Sequence, residues 1–196
     1  MKKTLFVSAS FVKFSSDELD ISFVPPMTRR RFSLLQKVSF FLLNKVAPVG
    51  EEIKIVFASR DGEDKLTSDI VHAYNEEGSV SPWKFSSSVY NASPGLYSVY
   101  AKNHASYTAI AAGEETIENS LIEAIFETES VAWCYAEETQ SGYGAAIRFG
   151  PTTGRKLQVS AGNNEKSPIN FEDIAKFIAG EILLLEGKRI SLKWVS

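Results

Sequence analysis

Apolar residues recur along the chain at two different periods, and the changes from one to the other predict an alternation of strands and helices. Leu5 to Val12 mixes apolar with small polar residues over strand length. Pro25 and Pro26 stop regular structure, Thr28 is placed to cap the first helix, and Leu34, Leu35, Val38, Phe41, Leu42 and Val46 then recur at helical spacing as far as Ala47-Pro48-Val49-Gly50. Ile53 to Ala58 is a continuous apolar run of strand length, as expected of a strand covered on both faces. After a turn at Ser59 to Glu63, Leu66, Ile70, Val71 and Tyr74 mark a second helix closing near Gly78. Ser81 to Asn91 reads as loop, and Asn91 to Lys102 as a helix with Pro94 in its first turn.

Tyr107 begins a short strand that breaks at Gly113 and turns into a helix from about Thr116, with Ile117, Leu121, Ile122, Ile125 and Phe126 on its buried side. Strands follow at Val131 to Ala136 and Ala145 to Phe149, with Gly142, Gly144 and Gly150 to Gly154 read as hairpin turns. Thr152 to Ser167 is polar and turn-rich. Asn170, with Asp173 three residues on, opens a helix through Phe171, Ile174, Phe177, Ile178 and Ile182 that Gly187 ends before a last strand, Ile190 to Val195. No repeat or linker interrupts the series, so residues 1–196 are expected to form a single α/β domain.

Length and composition narrow the class without naming a chemistry. A chain of 196 residues with 44% hydrophobic content can build one sizeable core. A net charge of −3 gives no electrostatic reason to expect nucleic acid. The single cysteine, Cys134, rules out an intrachain disulfide framework and a thiolate metal cluster, so no metal or cofactor is expected, and a reducing cytoplasm fits. Lys2 and Lys3 ahead of an apolar run make a poor signal peptide, because Lys13, Asp17, Glu18 and Asp20 come soon after; no run approaches the length of a membrane span.

The strand-to-helix turn at Tyr107-Thr-Ala-Ile-Ala-Ala-Gly-Glu-Glu-Thr116 is where α/β enzymes mount a nucleophile, because a helix N-terminus offers unpaired N–H groups and partial positive charge. Here Glu114 and Glu115 occupy it. Acids at that position are favourable as helix-start residues by about 0.3–1 kcal/mol, and the alternative is a general base. His72 falls on a helix and His104 in a polar loop, and neither is assigned a catalytic role. Cys134, inside an apolar strand, reads as a small hydrophobe. Ser86-Ser-Ser88 lacks the G-x-S-x-G context of a serine nucleophile, and the glycines form no phosphate-binding motif.

In order along the chain, MTRRRFSLLQKVSFFLL, IKIVFASRDGE, SPWKFSSSVYNASPGLYSVYAKN and YTAIAAGEETIENSLIEAI resemble the N-terminal half of the β-ketoacyl synthases, over about Pro25 to Tyr135. The resemblance is strongest to the short β-ketoacyl-synthase-like proteins associated with chain-length factors. In condensing enzymes an Asn-x-x-x-Gly helix precedes the nucleophile strand. Asn91 and Gly95 keep that register, which puts Glu114 where the catalytic cysteine would stand. The Gly-rich turn expected after the first strand is replaced by Ser8-Ala-Ser-Phe-Val12.

The resemblance implies a truncated thiolase-like mixed sheet with helices on both faces. It implies that the paired histidines of decarboxylative condensation belong to a C-terminal half absent here, and a carboxylate cannot serve as the acyl-accepting nucleophile. The expected function is that of a non-catalytic, chain-length-factor-like pseudoenzyme: an accessory binding component in fatty acid or polyketide (aryl polyene) biosynthesis. The alternative is a thioesterase or acyl transferase on acyl-carrier thioesters with Glu114 or Glu115 as base. The implied partners are a ketosynthase or an acyl carrier protein, in a homo- or heterodimer. Tyr90, Asn91, Leu96, Tyr97 and Tyr100 lie on the segment that forms the subunit interface in condensing enzymes, although these aromatics equally suit a core. Arg29, Arg30 and Arg31, read as the first turn of a helix where positive charge opposes the dipole, are either a carrier-protein docking patch or an anchor to acids around Asp17 to Asp20.

Overall fold

The computed structural model describes residues 2–14, 18–139 and 142–195. Its strands are β1 (Lys2–Lys13), β2 (Lys54–Ala58), β3 (Tyr107–Ile110), β4 (Val131–Glu137), β5 (Tyr143–Gly150), β6 (Arg155–Ala161), β7 (Leu184–Glu186) and β8 (Ile190–Trp194). Its helices are α1 (Pro26–Arg29), α2 (Leu34–Val46), α3 (Asp64–Glu77), α4 (Pro82–Ser87), α5 (Ala92–Ala101), α6 (Thr116–Phe126) and α7 (Phe171–Ala179), with a 3-10 turn at Gly113–Glu115 just ahead of α6. The eight strands join one sheet in the order β3-β2-β4-β5-β1-β6-β8-β7. β2 runs parallel to β3 and β4, and every other neighbouring pair is antiparallel.

Period-2 alternation in the central strands creates two cores. Val131, Trp133 and Tyr135 of β4, with Val56 and Ala58 of β2, point to the face covered by α6 and α7. Ala132, Cys134 and Ala136, with Ile55 and Phe57, point to the face covered by α2 and α5. Both faces being covered explains why IKIVFA is apolar without a polar side. α2 is buried around most of its circumference because it sits between the sheet and α5. Trp133, fully buried, is held in one orientation by its Nε1–H donating to Ser120 Oγ of α6 at 2.9 Å.

Several local readings change. Thr28 lies inside α1, and the cap of α2 is Ser33: its hydroxyl accepts Gln36 N–H (3.0 Å) while Gln36 Oε1 accepts Ser33 N–H (3.3 Å). Arg29 therefore ends α1, and Arg30 and Arg31 lie between helices; none opposes the dipole of α2 from its first turn. Ser81 to Asn91 contains α4, started by Pro82. The polar stretch after Thr152 contains β6, with only Leu157 and Val159 marking its buried face. α7 stops at Gly180, which takes the left-handed conformation (φ +79°), so Ile182 lies beyond the helix and β7 intervenes before Gly187.

The glycines of β5 and its following loop are not hairpin residues either. Gly144 is in β5, where a Cβ would meet Tyr135 O at 2.3 Å. Because β1 lies between β5 and β6, residues 151–154 cross β1 near Val7, and a Cβ on Gly154 (φ +116°) would meet Val7 O at 2.2 Å. Of the β4–β5 hairpin tip, Ser141 lies outside the described residues. Among the described residues no helix is long and apolar enough to cross a membrane, and no three His, Cys, Asp or Glu side chains are grouped to hold a metal ion.

Candidate functional site

At the end of β3 the chain leaves the sheet, turns at Gly113 (φ +56°) and enters α6. A non-glycine residue would be strained in that left-handed conformation. Thr116 fixes the corner: its Oγ1 accepts Ala112 N–H (2.9 Å) and donates to Gly113 O (2.7 Å). Glu115 N–H donates to Ala112 O (3.1 Å) and Thr116 N–H to Gly113 O, so two of the donors that could face a ligand are turned back on the turn itself.

The two acids divide. Glu115 reaches away to the β7–β8 turn, where it pairs with Lys188 (2.8 Å) and Arg189 (2.7 Å). The hydrogen bond from Lys188, with Arg189 beside it, holds its carboxyl below the ordinary range. A general base needs the opposite shift, so Glu115 does not suit that role. Glu118, one turn on and fully buried, continues the same grip: its Oε1 accepts Ile190 N–H at 2.9 Å and Arg189 N–H. Glu114 is exposed, makes no hydrogen bond or ion pair with any described residue, and lines a cleft of about 440 Å³.

That cleft draws its walls from four separated parts of the chain: Arg60 after β2, Ile117 of α6, Tyr135 and Tyr143 of the β4–β5 pair, and Phe171 at the start of α7. The Tyr143 and Phe171 rings pack with centroids 4.5 Å apart. Arg60 is neutralised by a two-pronged pair with Asp61, both bonds 2.9 Å. Glu137, buried at the end of β4, holds the loop that carries Arg60 by accepting from Ser59 Oγ (3.1 Å) and from the backbone N–H groups of Arg60 and Asp61. Burial raises its carboxyl, and those bonds oppose the rise. Burial also pushes the Tyr135 hydroxyl well above its usual range. Arg60 falls within IKIVFASRDGE, but that segment does not mark it as a site residue, and Tyr135, Tyr143 and Phe171 share no motif with it; the one local signal is that Tyr135 and Tyr143 flank a strand-to-strand turn.

Neither histidine lines the cleft. His72 is on the exposed side of α3, 3.5 Å from Glu76, and His104 borders a different groove with Val99 and Tyr107. Cys134 is fully buried and its thiol is pushed up by desolvation, which removes it as a nucleophile. The described residues of the cleft thus offer a free carboxylate and tyrosine hydroxyls, without a thiol or imidazole.

The aromatic segment divides as well. Tyr97 is buried in the core, its hydroxyl donating to Ala47 O, and so is not a surface residue. Tyr90 stitches the ends of β2 and β3 through Ser59 and Ile110. Leu96 and Tyr100 are half-buried against the same core, and Asn91 is exposed with its Nδ2 3.3 Å from the Tyr107 hydroxyl. Beside them Val99 is 72% exposed. Of the acids near the arginines, Asp17 lies outside the described residues. Asp20 is held low first by Ser22 and then by nearby Lys45 and Arg29, while Arg30 and Arg31 pair with no described acid.

Comparison with known proteins matches these features to a family. The solved structure of a ketosynthase (ApeO) in complex with its chain length factor (ApeC), from Xenorhabdus doucetiae, superposes with a TM-score of 0.76 at 16% identity, covering 99% of this chain and 100% of that one. The shared fold, a thiolase-like mixed sheet, therefore includes the C-terminal segment whose sequence resembles the condensing enzymes least. No curated protein matches. The model of the β-ketoacyl synthase N-terminal domain matches residues 8–132, well over half of the chain. With that model spanning most of its length, the chain belongs to the β-ketoacyl synthase N-terminal domain family.

Proposed function

We propose that this protein is a non-catalytic member of its family that serves fatty acid or polyketide assembly, including aryl polyene formation, by binding a ketosynthase. The observation that carries the reading is Glu114: a carboxylate without a described partner occupies the corner of a cleft that no histidine lines. Without thiol or imidazole the corner lacks the groups that accept an acyl chain and promote decarboxylation in a condensing enzyme, which supports a binding role.

The surface suited to that partner is α5 with β3. β3 is the terminal strand of the sheet, and Gly95, Ser98, Val99 and Tyr107 border a mostly apolar groove beside it. An exposed edge next to an apolar helix face is what a second sheet can extend. The neighbouring structure, a ketosynthase with its chain length factor, supports a partner of that kind. Arg29, Arg30 and Arg31 are proposed to receive an acidic carrier protein. On co-expression with a ketosynthase from the same host, the parent is expected to co-purify with it and Val99→Asp to lose it, since the change buries a charge at the contact. Undiminished capture of the variant sinks the proposed surface.

The hydrolase reading survives only for Glu114, because that carboxylate faces the cleft without a described partner. It requires the parent to hydrolyse acyl-carrier thioesters and Glu114→Gln to lose that turnover. We expect no turnover from either protein.

A further inference from the structure

The junction of α1 and α2 faces α4 across a groove of about 480 Å³ bordered by Arg30, Arg31, Ser81, Trp83 and Lys84. Its three cations are exposed, and none makes an ion pair or side-chain hydrogen bond with a described residue. In a chain of net charge −3 that is a concentrated positive field without a described counter-charge. The Arg31 guanidinium carbon lies 5.9 Å from the centre of the Trp83 ring. The Trp83 indole N–H is buried without an acceptor among the described residues, and the half-buried ring packs against the core beneath α2 and α5. The walls are nevertheless tied together: Gln36 Nε2, three residues past the α2 cap, donates to Ser87 O at the end of α4 (3.1 Å).

We propose that this groove binds a phosphate ester, its phosphate between Arg30, Arg31 and Lys84 and its organic part on the Trp83 face. Three cations around one concavity of small-molecule size match a compact group carrying two negative charges. Guanidinium forks fit phosphate oxygens pairwise, and the indole gives the ester a flat apolar seat. Carboxylates spread along a partner helix would be met as well by a flat surface. Arg29, which lies near Asp20, is outside the groove. Phosphate binding here goes beyond carrier docking by the arginines and stands if that docking fails.

Trp133 and Trp194 are buried, so Trp83 dominates any ligand-dependent change in indole fluorescence. Titration with ADP is expected to give a saturable change, with inorganic pyrophosphate binding more weakly because it leaves the indole uncovered. R30Q/R31Q should weaken ADP at least about tenfold through loss of the charged forks, with the urea midpoint unchanged. Trp83→Leu, followed by calorimetry, should bring ADP down to the affinity of pyrophosphate. Absence of saturable ADP binding overturns the proposal, as does binding that persists in R30Q/R31Q. If polyglutamate binds and neither phosphate compound does, the groove is an acidic-protein surface and the phosphate assignment is wrong.

Discussion

Replacing Glu118 with alanine is expected to destabilise the fold by about 3 kcal/mol, because two backbone donors lose the carboxylate oxygen that accepts them. Glu118 is fully buried on α6, and its Oε1 accepts from both Arg189 and Ile190 across the β7–β8 turn. The turn stays packed on its other side in the variant: a Cβ on Gly187 would meet Ile169 Cγ1 at 2.6 Å, which limits how far the two donors can move to find another acceptor. Glu118→Gln keeps a carbonyl oxygen in place and should cost no more than about 1 kcal/mol, since both N–H groups stay paired. The comparison separates the hydrogen bonds from the volume of the side chain. Urea midpoints of the three proteins check the order, and faster amide exchange at Arg189 and Ile190 in the alanine variant locates the damage. Equal midpoints for alanine and glutamine variants refute the role given to the oxygen.

The second large effect is a fall in stability with rising pH, centred on Glu63. This residue is 3% exposed at the start of α3; its Oε1 accepts Ser33 Oγ at 2.9 Å, and its Oε2 has no partner among the described residues. Desolvation pushes its carboxyl up to about 7 against the hydrogen bond from Ser33. In the unfolded chain the same group ionises near its ordinary value of 4.5. Between those values the folded state holds a proton that the unfolded state has released, so stability is fully present below 4.5, declines as pH rises and levels off above 7. The decline attributable to Glu63 is on the order of 3 kcal/mol. Glu63→Gln cannot ionise and should lose correspondingly less stability between about pH 5 and pH 8. Parallel pH profiles for parent and variant in urea titrations contradict this account. Glu137, also raised by burial, shifts the profile in the same direction in both proteins.

What the sequence disclosed depended on how locally each feature is encoded. The covered strands β2 and β4 and the helices α2 and α6 announce themselves through runs and periods that a single segment contains. β6 escaped because only Leu157 and Val159 alternate within polar neighbours, and its identity as a strand depends on pairing with β1 and β8. The strand-to-helix corner between Tyr107 and Thr116 was legible because strand, glycine and helix start lie in one continuous stretch. That stretch could not separate the roles of Glu114 and Glu115, because Lys188 and Arg189 reach Glu115 from more than seventy residues away. The cleft walls were hidden for the same reason: Arg60, Tyr135, Tyr143 and Phe171 meet only through the topology of the sheet.

The placement of β1 between β5 and β6 has a consequence for how this molecule is made. Its register pairs Val12 with Ala145 and Lys2 with Ser160, partners that leave the ribosome well over a hundred residues later. Until then the N-terminal segment has both hydrogen-bonding edges vacant, and the sheet's two halves have nothing to join them. Assembly at such sequence separation is slow and leaves strands open to pairing with other chains. Early capture of the N-terminal segment by a chaperone would therefore protect the chain over the interval in which β1 has no partner strand.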